Sequence, residues 1–221
     1  MNEELRRRLR EEDLAFFGRI GADVSHEMRN VLSVIGEYAG LLDDLLARAE
    51  DGSRLDCSKL KQVSAKLTRQ VSKGTEVMGR FSRFAHATDE QTASFDLTAL
   101  TGNMAALAQR HVTLAGCRLE AELPDEAMPV RANPFSLQRA VFSAIEVILE
   151  SLEKGELITI KLVTQGPTAV LSVSGSAAAG DGGQLSDRMS QLSAVMNELE
   201  GSIEKSWTDG ILSLLLTIPI K

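Results

Sequence analysis

The sequence predicts an α+β chain: a long helical hairpin followed by a helix-on-sheet domain. Three observations carry this. No proline occurs between Leu5 and Ala87, and apolar residues there recur at steps of three or four. Beyond "HATDEQTAS" (His86–Ser94) the rhythm changes to short alternating runs broken by glycine and proline. Between those runs stand helical segments that begin and end with recognisable signals.

In the first half, positions 17, 20, 24, 28, 31, 35, 38, 42 and 45 (Phe, Ile, Val, Met, Val, Ile, Tyr, Leu, Leu) line one face of a long helix. "AEDGSR" (Ala49–Arg54) breaks the pattern at Asp-Gly and predicts a turn. A second seam follows at Leu60, Val63, Leu67, Val71, Val77–Met78, Phe81 and Phe84. Two helices joined by a short turn make an antiparallel hairpin. A lone hairpin leaves its apolar stripe uncovered, so pairing with a second copy into a dimeric four-helix bundle is expected.

In the second half, Phe95–Leu97 reads as a short strand and Leu100–Val112 as a helix. "CRLEAELP" alternates and ends at Pro124, a strand. "NPFSLQRAVFSAIEVILESLEKG" (Asn133–Gly155) opens on a capping residue and closes on glycine, a helix. "LITIKLVTQGPTAVLSVSG" is a hairpin about Gln-Gly-Pro, "LSDRMSQLSAVMNELEG" a helix stopped by Gly201, and "SIEKSWTDGILSLLLTIPI" a last hairpin about Asp-Gly. The domains are therefore expected at 1–90 and 91–221, with the boundary near residues 87–94.

The bulk composition narrows the function classes. A net charge of −7 over 221 residues gives no positive field for nucleic acid. The chain is 43% hydrophobic and 25% charged, the balance of a folded domain rather than a disordered one. Cys57 and Cys117 have no metal-type spacing and read as reduced thiols. The apolar run Ile211–Ile220 is strand length, about half a membrane span. The charged start "MNEELRRRLREEDLAFF" has no signal-peptide core. A cytoplasmic protein without membrane attachment is expected.

His26 is the residue that does not belong to the helix's structural pattern. It stands two positions from both Val24 and Met28, about 200° round the helix from the seam, on the side that carries Asp23, Glu27, Asn30, Ser33 and Glu37. Periodicity alone leaves open a solvated surface histidine. An exposed neutral imidazole is also a good nucleophile near pH 7, suited to phosphoryl transfer. Glu27 can then accept a proton, and Asn30, one turn on, can orient a phosphoryl oxygen or a water. His86 ends the second helix, and His111 ends a helix of the second domain with no acidic residue beside it in sequence.

"SHEMRNVLSVI" resembles the phospho-acceptor motif of two-component histidine kinases: His, an acidic residue, then Asn at the fourth position on. The likeness extends over the hairpin, which is similar to their dimerisation and histidine-phosphotransfer domain. It implies that His26 is phosphorylated, that Glu27 is its acid–base partner, and that Glu27 with Asn30 matches the pair that serves phosphatase activity in some members. The order of elements from Phe95 to Ile220 resembles the family's ATP-binding α/β sandwich. There the segment matching Asn133 onward reads D-P-x-x-L-x-x-x-x-x-N-L-x-x-N-A, and its two asparagines hold Mg²⁺ and phosphate. This chain has Ser143 and Val147 at those positions, and valine cannot ligate a hard cation. The family's D-x-G-x-G follows a strand that here ends "SVSGSAAAGDGG", with Ser174 or a neighbour where Asp belongs and Asp181–Gly183 falling too late. Only Ser176–Leu185 is available for a nucleotide lid.

The expectation is thus a histidine phosphotransferase on a kinase-like core. Two copies would pair through Phe17–Phe84, and His26 would relay a phosphoryl group between receiver domains of response regulators. Neither nucleotide nor cofactor is expected on this chain, and Mg²⁺ would arrive with the partner receiver. Arg29 and the second helix's Lys59, Lys66, Arg69, Lys73, Arg80 and Arg83 either steer an acidic partner or form an ordinary solvated face. Of these, Arg29, Arg69 and Lys73 are the expected partner-binding residues. The alternatives are an ATP-dependent sensor kinase core, a non-catalytic adaptor or inhibitor, and a receiver phosphatase working through Glu27 and Asn30.

Overall fold

The computed structural model describes residues 3–51, 56–176 and 183–220, with side chains over 11–51, 56–176 and 188–220. The chain divides into two compact units, Phe17–Ser82 and the combination of Met1–Phe16 with Arg83–Lys221. Each is described by itself.

The first unit is an antiparallel pair cut from α1 (Glu3–Glu50) and α2 (Cys57–His86). Asp56 caps α2, its Oδ1 accepting from the Ser58 and Lys59 amides at 3.0 and 3.2 Å. Ile20, Val24 and Val31 of α1 and Val63 and Val77 of α2 are buried along the seam. Phe17 packs against Phe81 at the end away from the turn, ring centroids 6.2 Å apart. The helices approach closely at Gly74, where an added Cβ would stand 3.2 Å from Val31 Cγ1. The turn expected at Ala49–Arg54 starts where α1 stops; its residues 52–54 lie outside the described residues.

The second unit is α+β. Its sheet has five strands in the order β2-β4-β5-β7-β6, from Arg118–Glu122, Leu157–Gln165, Thr168–Ser176, Ile211–Pro219 and Ser202–Thr208. β2 and β4 run parallel, and the other neighbours are antiparallel. Helices α3 (Leu97–Leu114), α4 (Pro134–Glu150) and α5 (Gly183–Glu198) complete it, with α4 packed on β4, β5 and β7 and touching both other helices. α4 buries Leu137, Ile145, Val147 and Ile148 almost completely. A two-stranded antiparallel sheet joins β1 (Ala93–Asp96) to β3 (Pro129–Ala132), a strand that the sequence pattern did not disclose. Asp96 ties this corner together, accepting from the Thr98 amide at the start of α3 and from the Met128 amide just before β3.

Asn133 caps α4 through the Ser136 amide at 2.9 Å, with Pro134 in the first turn, as the sequence predicts. The helix ends at Glu150, not at Gly155. Ser151 closes it, its amide donating to the Ile148 carbonyl at 2.9 Å, and Gly155 turns the chain later with φ +95°. The last hairpin is built about Asp209 and Gly210, with φ of +52° and +77°, the left-handed pair that a two-residue turn of this hand needs. The first turns of α1 also belong here. Phe16 is buried in an aromatic cluster with Phe84, Phe135 and Phe142, and the Asp13 carboxylate accepts from buried Arg139. A buried guanidinium without such a carboxylate is costly. Among the described residues, no helix is long and apolar enough to cross a membrane.

Candidate functional site

The site begins with helical geometry. Val24 and Val31 are buried, so the residues between them on the far side of α1 face out, and His26 is exposed. Ser25, just before it, donates its hydroxyl to the Gly21 carbonyl at 2.8 Å and stays within its own helix. Arg29 and Asn30 are exposed, and Asn30 lies one turn beyond His26. Glu27 is half-buried because it points back across the hairpin, where its Oε1 lies 3.2 Å from Lys73 Nζ of α2. The tight approach at Gly74 sets Lys73 opposite Glu27.

The structure therefore places His26, Glu27 and Asn30 within one turn of α1 and pairs Glu27 with Lys73. Arg69 is exposed four residues before Lys73 and shares its helical face. Arg29, exposed three residues beyond His26, shares that residue's face of α1 and lies about 200° round the helix from Glu27. Four other basic residues of α2 have contacts of their own. Lys59 pairs with Asp56 at 3.9 Å, Lys66 lies over the Tyr38 ring 5.2 Å from its centroid, and Arg80 bonds Glu76 at 2.6 Å. Arg83 reaches Asn103 at 3.4 Å.

The ATPase-like unit presents different chemistry. Val147 is completely buried in α4, and Ser143 is half-buried one turn before it. At Gly175, near the end of β5, an added Cβ would stand 2.9 Å from both Ile148 Cγ2 and Leu152 Cδ2. Ile148 of α4 therefore packs directly on the strand at Gly175, the residue after half-buried Ser174. Val147 thus offers no oxygen to a hard cation such as Mg²⁺, and Gly175 has no side chain to offer. Of the short segment Ser176–Leu185, residues 177–182, including Asp181 and Gly182, lie outside the described residues.

Sequence reasoning missed one polar cluster. Glu146, buried in α4, has His111 Nε2 at 3.7 Å and Arg188 Nη1 at 3.4 Å, and Arg188 reaches Glu150 at 2.8 Å. His111 thus has an acidic neighbour in space that its sequence surroundings lack. The available signal was a glutamate inside "SAIEVI", an otherwise apolar stretch of helix. His86 faces Asp89 at 2.8 Å beyond the end of α2.

No protein-family model and no curated protein matches the chain. Solved structures do. A histidine kinase from Burkholderia phymatum is similar over 92% of this chain and 97% of its own, with 14% identity and a TM-score of 0.53. The histidine kinase ThkA, solved in complex with the response regulator protein TrrA, covers all of this chain and 68% of its own, at 17% identity and a TM-score of 0.51. The nucleotide-free catalytic domain of ThkA covers 59% of this chain and 99% of its own, at 15% identity and a TM-score of 0.52. At these identities the likeness defines the fold, which is histidine-kinase-like.

Proposed function

We propose that this protein is a histidine phosphotransferase of a two-component phosphorelay, acting as a homodimer in the cytoplasm and relaying phosphoryl groups between receiver domains through His26 without binding ATP. One juxtaposition supports this reading above all. His26 stands exposed at mid-helix beside Glu27 and one turn before Asn30, on a chain whose ATPase-like domain has buried Val147 and tightly enclosed Gly175 where nucleotide ligands are needed. The ThkA complex supplies the precedent of a response regulator bound to this fold.

In the proposed reaction an imidazole nitrogen of His26 attacks the phosphorus of an aspartyl phosphate on the receiver. The N–P bond forms as the acyl O–P bond breaks, and the electron pair leaves with the receiver's carboxylate. The ring's own proton stays on the other nitrogen until a base takes it, a role open to Glu27. Asn30 orients a phosphoryl oxygen or, in hydrolysis, a water. Such a reaction asks for positioning and charge neutralisation more than for covalent help. The receiver's acidic pocket brings Mg²⁺.

The test is incubation with phosphorylated receivers. Acid-labile, base-stable label is expected on the wild type and absent from His26→Gln, while His86→Gln and His111→Gln keep it. Label persisting on His26→Gln would remove His26 from the mechanism. The fold itself favours a second reading, an ATP-dependent kinase core, since the similar solved structures are kinases. Calorimetry separates the two: no ATP binding is expected at millimolar nucleotide, and a micromolar dissociation constant would install the kinase reading instead.

A further inference from the structure

We infer that Lys73 is a positioning residue for transfer at His26: its ammonium neutralises Glu27, so that a dianionic phosphoryl group can approach the imidazole. The inference rests on the phosphotransfer reading above. Glu27 adjoins His26, and an uncompensated carboxylate there repels an incoming dianion. Lys73 meets it from the other helix at 3.2 Å. Lys59, Lys66, Lys73 and Arg80 recur at intervals of seven along one face of α2, yet their engagements differ. Lys59 and Arg80 pair with nearby residues of their own segment, and Lys66 covers Tyr38. Lys73 is held against the carboxylate that adjoins the nucleophile. The helices approach closely beside it, since a Cβ at Gly74 would stand 3.2 Å from Val31 Cγ1 and 3.5 Å from Met28 Cε.

The pair is partly exposed, so its effect on folding is small, whereas its effect on a doubly charged transferring group is larger. As the N–P bond forms and the receiver's carboxylate departs with its electron pair, the charge beside Glu27 increases and Lys73 offsets it. Glu27→Gln removes the carboxylate and its base role together, so its own rate is the reference for Lys73→Gln in that background.

The experiment measures the rate of phosphoryl transfer from a phosphorylated receiver domain to the full-length wild type, Lys73→Gln, Lys73→Arg, Glu27→Gln and the Glu27→Gln/Lys73→Gln double variant, with melting curves for each. Lys73→Gln is expected to slow transfer about fivefold, less at high salt, while Lys73→Arg stays near wild type. Once Glu27→Gln has removed the carboxylate, adding Lys73→Gln is expected to have no further effect on rate. An equal loss with and without the Glu27→Gln change would show that Lys73 acts on the partner or the phosphoryl group directly and would overturn the inference, as would a Lys73→Gln rate equal to wild type. Absence of label on His26 in the wild type overturns the phosphotransfer reading, and this inference with it.

Discussion

At Gly175 an added Cβ falls 2.9 Å from Ile148 Cγ2 and Leu152 Cδ2, and Val147, the residue before Ile148 on α4, is fully enclosed. These two positions make the proposed absence of nucleotide binding a matter of packing as well as of missing ligands. Gly175→Ala should destabilise the protein by about 1–3 kcal/mol, because the methyl must displace fully buried Ile148 as well as the end of half-buried Leu152. Val147→Asn should cost about 2–4 kcal/mol, since its amide would be buried without partners. Urea denaturation of the full chain measures both. The Ser143→Asn/Val147→Asn variant, which restores the family's asparagines, is expected to remain without ATP binding in calorimetry, because the carboxylate of the family's D-x-G-x-G is still missing from the end of β5. A restored micromolar affinity would mean that the site is lost by two side chains alone.

Much of the element order is legible in the sequence because long, strict periodicity outweighs local exceptions. The α1 seam from Ile20 to Val31 and the Asp-Gly hairpin near the end are such cases. What escaped depends on contacts between distant segments. β3 is four residues long and is defined by its pairing with β1, which no local pattern encodes. Periodicity puts Phe17 on the seam and leaves Phe16 off it, yet Phe16 is the buried one, in an aromatic cluster with Phe135 and Phe142, while half-buried Phe17 packs on Phe81. The exposure of His26 was legible because helical rotation alone puts it outside the seam. The Glu27–Lys73 pair was not, because it depends on how closely α1 and α2 approach at Gly74. Glycines of the two helices make that distinction measurable. Gly36→Ala should stabilise by about 0.5–1 kcal/mol, since nothing lies within 4 Å of the new methyl and helix propensity improves. Gly74→Ala should do the reverse in the same denaturation assay, because its methyl would press on Val31.

At the scale of the whole molecule, the hairpin's apolar residues outnumber the places available to bury them. Leu32, Val71 and Met78 are 61%, 55% and 46% exposed. Leu32 lies five residues from Glu27, and Met78 five from Lys73, each about 140° round its helix from that pair. Val71 is two residues from Lys73, so it too faces away. The uncovered apolar flank and the flank carrying Glu27 and Lys73 are therefore different sides of the hairpin. A second copy seated on the apolar flank completes the proposed four-helix bundle and leaves the Glu27–Lys73 side open to a partner. Val71→Asp tests this cleanly. Its side chain is exposed within one protomer, so the substitution should move protomer stability by less than about 0.5 kcal/mol. In a dimer it buries an unpaired carboxylate, which costs several kcal/mol. Sedimentation at micromolar concentration is expected to give a dimeric wild type and a monomeric, still helical Val71→Asp. A monomeric wild type would rule out the bundle, and a dimer that survives the substitution would place the pairing surface elsewhere on the chain.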